Sequence, residues 1–336
     1  MADGNIHDSI RSIIENSKRI AVLSHIRPDG DAVGSVLGLG LALKASGKDV
    51  QMVLTDGIPS MFVHLKGARQ VVRQISRPVD LVVVLDISDL NRIGGTLPVP
   101  VPDLNIDHHI TNLQFARINL VEPETVATSA ILAQYMEDWG LTISQPVAEA
   151  LLTGLVSDTL GFRTNNMNPQ ALRLAAELID RGANLPDLYH RALVIKSFNS
   201  ARYWGCGLAR LKQDNGIVWT ALTLEDRAAS SYAGNDDADL VNMLATIQEA
   251  QIALIFVEQK GSRVKVSWRS QPGINVANLA IKFGGGGHPA ASGAELSGSL
   301  EEIQSTVLIA THSLLEEQIG YNLTSPSKKL GKNDER

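Results

Sequence analysis

Short apolar runs that end in a charged residue constrain the fold of this chain most strongly. The run at 80–86 (DLVVVLD) holds an unbroken apolar stretch between two aspartates, and 19–25 and 104–107 are similar. Runs of this length that alternate with helical patterns are typical of parallel strands buried on both faces of a sheet. The sequence therefore predicts an α/β fold with a parallel sheet in its amino-terminal half.

Helical patterns separate these apolar runs. Ile6, Ile10 and Ile13 recur at helical spacing and predict an opening helix, and a second helix is predicted at 32–46, ending at Gly47. Further helices are predicted at 125–139, at 147–159 and from Asn168–Pro169, with Asn as the cap, to Gly182.

The carboxyl-terminal half carries a second set of elements. Strands are predicted near 216–222, 251–258 and 263–268, before a long helix that begins at Leu300 and ends before Gly320. At roughly 150 residues per domain, the 336 residues are expected to form about two domains. The predicted divisions are 1–185 for a larger parallel-sheet domain, 186–214 for a helical connector, 215–320 for a smaller α/β domain and 321–336 for a disordered polar tail.

The composition excludes several classes of protein. With 44% hydrophobic and 20% charged residues, the chain can form a sizeable core. The 30 Lys and Arg against 36 Asp and Glu give a net charge of −6, which argues against a protein that coats duplex DNA but allows a small nucleotide substrate. Aromatic residues make up 4%, too few for a broad base-stacking platform.

Three features bear on where the chain works. Its longest uncharged apolar stretch, Ala32 to Leu43, is far short of the ~20 residues that a membrane span needs. Its amino terminus lacks the basic start and apolar run of a signal peptide. The single cysteine, Cys206, cannot form an internal disulfide. We therefore expect no membrane association and a cytoplasmic location.

The residues HIRPDGD at 25–31 form the first candidate site. His25, Asp29 and Asp31 lie where an apolar strand ends and a helix begins, which is where ligands bind in open α/β sheets. An imidazole beside carboxylates suits a divalent transition metal better than Ca²⁺ or Mg²⁺, which prefer all-oxygen sites. The alternative is a turn rich in Asp and Gly that only caps the following helix.

Three further element ends carry similar side chains. Asp86 ends a strand, Asp107-His108-His109 closes another apolar segment, and Asp158 ends an apolar helix. The alternatives are a helix cap, a surface histidine pair and a solvated carboxylate. His108 and His109 are expected to play different roles, because side chains alternate in direction along an extended chain.

The four element ends together supply the groups for a two-metal site. Four carboxylates, Asp29, Asp31, Asp86 and Asp158, balance the charge of two divalent cations, and histidines add neutral ligands. Two ions about 3.5–4 Å apart, bridged by one carboxylate, can activate water and clamp an in-line displacement at phosphorus. The chemistry that this indicates is phosphoester hydrolysis.

These motifs also resemble those of a known family. HIRPDGDA at 25–32, the strand-end Asp86, DHH at 107–109 and SDTLGFRT at 157–164 look like the four motifs of the DHH phosphoesterase superfamily. The segment 267–293 (SWRSQPGINVANLAIKFGGGGHPAASG) resembles the glycine-rich signature of the DHH-associated C-terminal domain. In size and layout the chain is most similar to the oligoribonuclease and pAp phosphatase (nano-RNase) group.

The resemblance implies two divalent cations, with Mn²⁺ as the expected ion. The implied ligands are His25, Asp29, Asp31, Asp86, His108 and Asp158. In the family, the positions of His25 and Asp29 bind one ion, and that of Asp86 bridges both. The remaining ligands belong to the second ion.

The resemblance assigns further roles in the first domain. Asp107 would orient the metal ligands, and His109 would face the phosphoryl group and stabilise its developing charge. Arg163, which follows the fourth motif, is a candidate phosphate contact, with an ordinary surface arginine as the alternative.

Residues 284–288 (GGGGH) form a candidate anion site in the second domain. Consecutive glycines let backbone N–H groups turn toward an anion, and the adjacent histidine adds a donor. The alternative is a flexible hinge. By resemblance, this segment and the strand before it hold the phosphate or nucleotide end of the substrate. The implied contacts are Ser267, Arg269, Gly285, Gly286, Gly287 and His288.

The expected protein is a two-domain hydrolase with its active site in the cleft between the domains. The resemblance implies exonucleolytic cleavage of very short oligoribonucleotides to 5′-mononucleotides and removal of the 3′-phosphate from pAp. Alternatives are hydrolysis of cyclic dinucleotides or their linear products, hydrolysis of inorganic polyphosphate, and RNA binding without turnover. Some relatives pair through the larger domain, so a homodimer is compatible with this interpretation.

Overall fold

The computed structural model of the protein describes residues 6–324, with side chains through residue 318. The described residues form two compact units that divide between Ile195 and Lys196. None of the helices in this part of the chain is both long enough and apolar enough to cross a bilayer.

The first unit is built on an all-parallel sheet of five strands. In chain order these are β1 Arg19–Leu23, β2 Asp49–Val53, β3 Leu81–Leu85, β4 Leu104–Asp107 and β5 Ile118–Val121. Their spatial order is β2-β1-β3-β4-β5, and every residue of β3 is buried. The predicted parallel sheet is confirmed. β2 and β5 were not predicted, because polar residues interrupt their apolar runs.

The helices of the first unit are α1 Ile6–Asn16, α2 Gly30–Ala45, α3 Thr128–Tyr135, α4 Gln145–Asp158, α5 Pro169–Asp180 and α6 Leu185–Tyr189. Short 3₁₀ turns occur at Ser60–Phe62, Ala68–Gln70 and Leu90–Ile93, and a π-helical turn at His190–Val194. Asp29 caps α2 by accepting hydrogen bonds from the backbone N–H groups of Asp31 and Ala32. Asn168 caps α5 in the same way, as predicted.

The second unit is built on a mixed sheet of six strands. These are β6 Lys212–Asp214, β7 Ile217–Leu222, β8 Ile252–Gln259, β9 Arg263–Ser270, β10 Gly286–His288 and β11 Ala291–Ser297. The spatial order is β10-β11-β9-β8-β7-β6, in which only the β7–β8 pair is parallel. The helices are α7 Phe198–Leu208, α8 Leu224–Ser230, α9 Leu240–Leu244, α10 Ala277–Lys282 and α11 Leu300–Thr324.

Two predicted segments differ from the structure. The segment 186–214, predicted as a helical connector, ends in strand β6, whose three residues are all exposed and carry no apolar signal. The helix α11 continues through Gly320, because one glycine costs a helix only about 1 kcal/mol relative to alanine. Residues 321–324 of the predicted tail are therefore helical, and 325–336 lie outside the described residues.

Glycines on α2 let α4 approach very closely. A Cβ atom on Gly30 would overlap the side chain of Ser157, and one on Gly34 would lie 2.5 Å from the carbonyl oxygen of Ala150. Neither gap accommodates a methyl group. The amino-terminal end of α2 therefore packs against the carboxyl-terminal end of α4.

Gly34→Ala is expected to destabilise the protein by about 1–3 kcal/mol, because the added methyl group would overlap backbone atoms of α4. Gly205→Ala in α7 is the matched control, since a Cβ there meets nothing within 4 Å. It should be neutral or stabilising by about 0.5–1 kcal/mol. Urea unfolding of both variants measures the difference, and equal stabilities would contradict the close contact.

Candidate metal centre

The predicted site residues lie at the carboxyl ends of neighbouring strands. His25 follows β1, Asp86 follows β3 and Asp107 ends β4. These strands are adjacent, and parallel strands present their carboxyl ends at one edge of a sheet. The backbone φ of Asp86 is +58°, a left-handed conformation that few residues other than glycine adopt. The chain therefore turns sharply at Asp86, where β3 ends.

Asp86 occupies the centre of the site and faces two histidines with different oxygens. Its Oδ2 lies 3.5 Å from Nε2 of His25, and its Oδ1 lies 3.7 Å from Nε2 of His108. Both separations are longer than a good hydrogen bond. Two ligands that are each about 2.1 Å from one transition-metal ion lie roughly 3–3.5 Å apart. The spacing therefore suits a cation on either side of this carboxylate.

The ligand atoms of the predicted residues form three overlapping groups, and within each group they lie within 4.8 Å of one another. The groups are His25 with Asp29 and Asp86, Asp31 with His108 and Asp158, and Asp86 with His108 and His109. All six predicted ligands thus converge in the described part of the chain. Asp86 and His108 each belong to two groups.

The adjacent histidines both reach Asp86, although side-chain alternation was expected to separate them. His109 Nδ1 lies 3.7 Å from Asp86 Oδ1, the oxygen that also faces His108. The expectation was wrong on this point, because strand β4 ends at Asp107 and the histidines follow in a loop. Their other partners differ, since His108 Nε2 lies 3.5 Å from Asp158 Oδ2 and His109 contacts Asp107.

In the described part of the chain, no lysine or arginine balances the carboxylates of this cluster. Among the ion pairs of the described residues, none joins a lysine or arginine to Asp29, Asp31, Asp86 or Asp158. Burial, with the charge of Asp86 added, raises the pKa of Asp31 to about 7, and burial also raises the pKa of Asp158. Buried like charges of this kind call for a counter-ion. The chemistry of the residues therefore fits divalent cations.

Asp107 and His109 form a hydrogen-bonded pair beside the predicted metal ligands. His109 Nδ1 donates a 2.6 Å hydrogen bond to Oδ1 of Asp107, whose side chain is fully buried. Asn112 donates from Nδ2 to Asp107 Oδ2 at 2.5 Å and to Asn105 Oδ1 at 2.8 Å. The bond to Asp107 fixes the proton of the histidine on Nδ1. Sequence reasoning missed Asn112, because an asparagine in a loop after DHH carries no distinct signal.

The strand register of the second unit brings its predicted contacts onto one face. Ala291 of β11 pairs with Arg269 on one side and His288 on the other, and Gly293 pairs with Ser267. Side chains of directly paired residues lie on the same face of a sheet. Arg269, His288 and Ser267 therefore share a face, although they are widely spaced in sequence.

Asn242 of α9 holds the side chain of Arg269. The Nε atom of Arg269 donates to Asn242 Oδ1 at 2.8 Å, and Nη1 donates to the carbonyl oxygen of Trp268 at 2.9 Å. Burial lowers the pKa of Arg269, and the charge of Asp237 opposes that shift. The guanidinium is thus fixed in a partly buried position, and Asn242 is a second residue that sequence reasoning missed.

The glycine run forms an edge strand and not a flexible hinge. Gly286 pairs with Gly293 in the β10–β11 ladder. A Cβ atom on Gly285 would overlap the carbonyl oxygen of Gly293, and one on Gly287 would lie 2.6 Å from that of Ala291. A Cβ on Gly286 would meet nothing within 4 Å. Gly285 and Gly287 are therefore required by the close approach of backbone atoms.

Arg163 lies on an exposed turn after the fourth motif. Its Nε atom donates to the carbonyl oxygen of Leu160 at 2.9 Å. Leu160, Gly161 and Phe162 all have left-handed φ values, so the chain reverses direction sharply after Asp158. Arg163 belongs to none of the ligand groups, and its role as a phosphate contact stays a prediction.

Comparison with known proteins identifies the family. The model of the DHH family, N-terminal domain, matches residues 19–155, and that of the DHHA1 domain matches residues 228–311. A Thermus thermophilus protein named bifunctional oligoribonuclease and PAP phosphatase NrnA is 34% identical over 310 residues, which cover 90% of this chain and 91% of that protein. The chain belongs to the DHH family of phosphoesterases. The resemblance to this family and the prediction that the protein is a hydrolase are confirmed.

Solved structures agree with the fold of this DHH phosphoesterase. An exopolyphosphatase-related protein from Bacteroides fragilis superposes with a TM-score of 0.84 at 27% identity, covering 93% of this chain and 96% of that one. RecJ in complex with Mn²⁺ from Thermus thermophilus gives a TM-score of 0.52 at 12% identity, covering 94% of this chain and 55% of that one. The predicted α/β fold class, with a parallel-sheet DHH domain and a smaller α/β domain, is confirmed.

Asn112→Ala is expected to destabilise the protein by about 1–3 kcal/mol, because it leaves buried oxygens of Asp107 and Asn105 without a donor. Asn16→Ala, at the exposed end of α1, is the control and should change stability by less than about 0.5 kcal/mol. Urea unfolding at neutral pH gives both values. A change at Asn112 as small as that at Asn16 would show that the network contributes little.

Proposed function

We propose that this DHH phosphoesterase uses two divalent cations to hydrolyse short oligoribonucleotides to 5′-mononucleotides and to convert pAp to AMP. The observation that carries the proposal is the carboxylate of Asp86, whose two oxygens face His25 and His108. A carboxylate placed in this way suits a bridge between two ions. The name of the Thermus thermophilus relative supplies the substrates.

The proposed ligand sets follow the groups that the fold brings together. His25, Asp29 and Asp86 would hold one ion. Asp31, His108 and Asp158 would hold the other, with Asp86 shared between the two. When bound, divalent cations in such a site polarise the phosphoryl oxygens and activate water for attack at phosphorus. We propose Mn²⁺, the ion bound in the Thermus thermophilus RecJ structure, because four of the six proposed ligands are carboxylates, which suit Mn²⁺.

His109 would contact the phosphoryl group that is being transferred. Its Nδ1–H is committed to Asp107, so Nε2 is the atom that would donate to a phosphoryl oxygen when the ring is protonated. Burial alone would lower the pKa of His109, but the bond to Asp107 and the charge of Asp86 raise it overall. The raised pKa favours the protonated ring, which stabilises negative charge in the transition state.

The second unit would select the substrate through its distal phosphate. Arg269 and His288 lie on one face of the sheet, beside a glycine backbone that leaves room for an anion at Gly286. A guanidinium and an imidazole are suitable donors for a phosphate. We place Ser267 and the backbone of 286–287 in the same contact, and Arg163 on the first unit as a further phosphate contact. The predicted contact from Gly285 is corrected, because its backbone N–H donates to the carbonyl oxygen of Ala280 at 2.8 Å.

The second candidate function is hydrolysis of inorganic polyphosphate. The structure from Bacteroides fragilis that resembles this chain over nearly its whole length is described as exopolyphosphatase-related. The proposed metal chemistry would serve that substrate equally well. Hydrolysis of cyclic dinucleotides and metal-independent RNA binding without turnover remain further alternatives.

We propose that the chain works in the cytoplasm, in keeping with its single cysteine. A homodimer stays a prediction.

Purified protein should release AMP from pApA and from pAp with Mn²⁺, and EDTA should abolish the release. Asp86→Ala should lower the rate by about a thousandfold or more, since a bridging ligand supports several kcal/mol of transition-state stabilisation. The control is Asp80→Ala, at the other end of the same strand, where the carboxylate only meets Arg19 and backbone N–H groups. Turnover that survives Asp86→Ala or EDTA would refute the two-metal proposal.

His288→Ala should raise the KM for pApA by about 10–100-fold, because a hydrogen bond to a charged group contributes about 1.5–3 kcal/mol. A cyclic dinucleotide has no terminal phosphate, so its KM should change little. His312→Ala is the control, since His312 pairs with Asp214 elsewhere in the second unit. An equal rise in KM for the linear and the cyclic substrate would contradict the proposed role of His288. In the wild-type protein, faster release of phosphate from polyphosphate than of AMP from pApA would favour the second candidate function.

A further inference from the structure

Thr128 contacts two of the proposed metal-ligand carboxylates at once. It is the first residue of α3 and is fully buried. Its hydroxyl donates to Oδ1 of Asp86 at 3.1 Å, and its backbone N–H donates to Oδ2 of Asp31 at 2.6 Å. These carboxylates come from different elements, the end of β3 and the first turn of α2. Thr128 therefore joins two parts of the site that are distant in sequence.

The contact to Asp31 follows from how α3 begins. The residue before the helix, Ala127, has no side-chain atom that can accept a hydrogen bond from the first turn. Asp31 takes that place from α2, because its two oxygens accept from the backbone N–H groups of Thr128 and Ser129. A carboxylate from another helix thus satisfies the first N–H groups of α3, and a negative charge is favourable at the start of a helix. Both oxygens of Asp31 are thereby fixed in direction.

The contact to Asp86 decides how that carboxylate is turned. Its nearest histidine nitrogens lie 3.5–3.7 Å away, too far for good hydrogen bonds. The hydroxyl of Thr128, at 3.1 Å, lies closer to Asp86 than any of these histidine nitrogens does. It occupies one lone pair of Oδ1 and leaves the other free.

We propose that Thr128 is a positioning residue of the metal centre. Its hydroxyl holds the plane of the Asp86 carboxylate so that Oδ1 faces His108 while Oδ2 faces His25. Without this hydrogen bond, the carboxylate can rotate about its Cβ–Cγ bond. Each proposed ion would then no longer face its own oxygen of Asp86. The inference rests on the proposed function, because it takes Asp86 to be the bridging ligand.

Thr128→Val tests the hydroxyl, since valine keeps the branched shape and the backbone N–H. Mn²⁺ binding is measured without substrate, by calorimetry and by electron paramagnetic resonance of free Mn²⁺. The Kd of the variant should rise by about 10–100-fold, as expected when a partner of a metal ligand is removed. Thr128→Ser, which keeps the hydroxyl, should retain the wild-type Kd.

Thr153→Val is the matched control. Thr153 is also fully buried, but its hydroxyl donates only to the carbonyl oxygen of Glu149 within α4. The Kd of Thr153→Val for Mn²⁺ should equal that of the wild type.

The kinetics of pAp hydrolysis give a second test. Thr128→Val should need a higher Mn²⁺ concentration for its half-maximal rate, while the KM for pAp at saturating Mn²⁺ stays unchanged. A merely structural defect would not be corrected by added Mn²⁺.

The outcomes separate this inference from the proposed function. If the wild type binds Mn²⁺ and releases AMP while Thr128→Val binds Mn²⁺ equally well, the positioning role is overturned and the proposed function stands. If Thr128→Ser is as weak as Thr128→Val, the hydroxyl is not the cause and the role is again overturned. A wild-type protein that neither binds Mn²⁺ nor releases AMP overturns both. Should Thr128→Val fail to fold, Thr128→Ala replaces it in each comparison.

Discussion

The close contact between α2 and α4 is the constraint on which the rest of the first unit depends. Because Gly30 and Gly34 have no side chains, the first turn of α2 lies directly against the last turns of α4. Asp31 and Asp158 stand at these two helix ends and so reach the same few ångströms as the strand-end residues of β1, β3 and β4. The two positions differ electrostatically, since a helix start favours a carboxylate and a helix end disfavours one. Burial also raises the pKa of Asp158, so the proposed cations would favour its ionised form, as would the histidine whose Nε2 lies 3.5 Å away.

The buried carboxylates of this site need hydrogen-bond or charged partners. Taking carboxylates out of water is costly unless each is paired or hydrogen-bonded. Asp31 is satisfied by the start of α3, and Asp107 by His109, Asn112 and a backbone N–H. Asp86 accepts a hydrogen bond from one hydroxyl and has three histidine nitrogens 3.5–3.7 Å away. Asp31 and Asp107 thus have hydrogen-bond donors on both carboxylate oxygens, whereas Asp86 has the fewest. Asp86 is also the carboxylate that lies where the two proposed ions would meet.

Much of this could be predicted from the sequence, and the remainder depended on tertiary contacts. The apolar run of β3 and the capped start at Asp29 are local signals, and the residues at element ends converge because parallel strands share an edge. The strands β2 and β6 lack an unbroken apolar run, because β2 contains Gln51, which is buried and hydrogen-bonded to Ser76 and Arg77, and every residue of β6 is exposed. Thr128, Asn112 and Asn242 were missed for another reason. Threonine and asparagine are common in turns and helix starts, so only the fold reveals which of them meets a buried charge.

The left-handed backbone of Asp86 has a consequence for how this position can change. A non-glycine residue at φ +58° is strained by about 1–3 kcal/mol, and here its carboxylate is also buried. Glycine adopts this conformation without strain, but it would remove the carboxylate that the two proposed ions share. Stability and catalysis therefore select for different residues at position 86. Without the proposed metal chemistry, the relief of backbone strain would be the remaining difference, and glycine would be the more stable residue at this position.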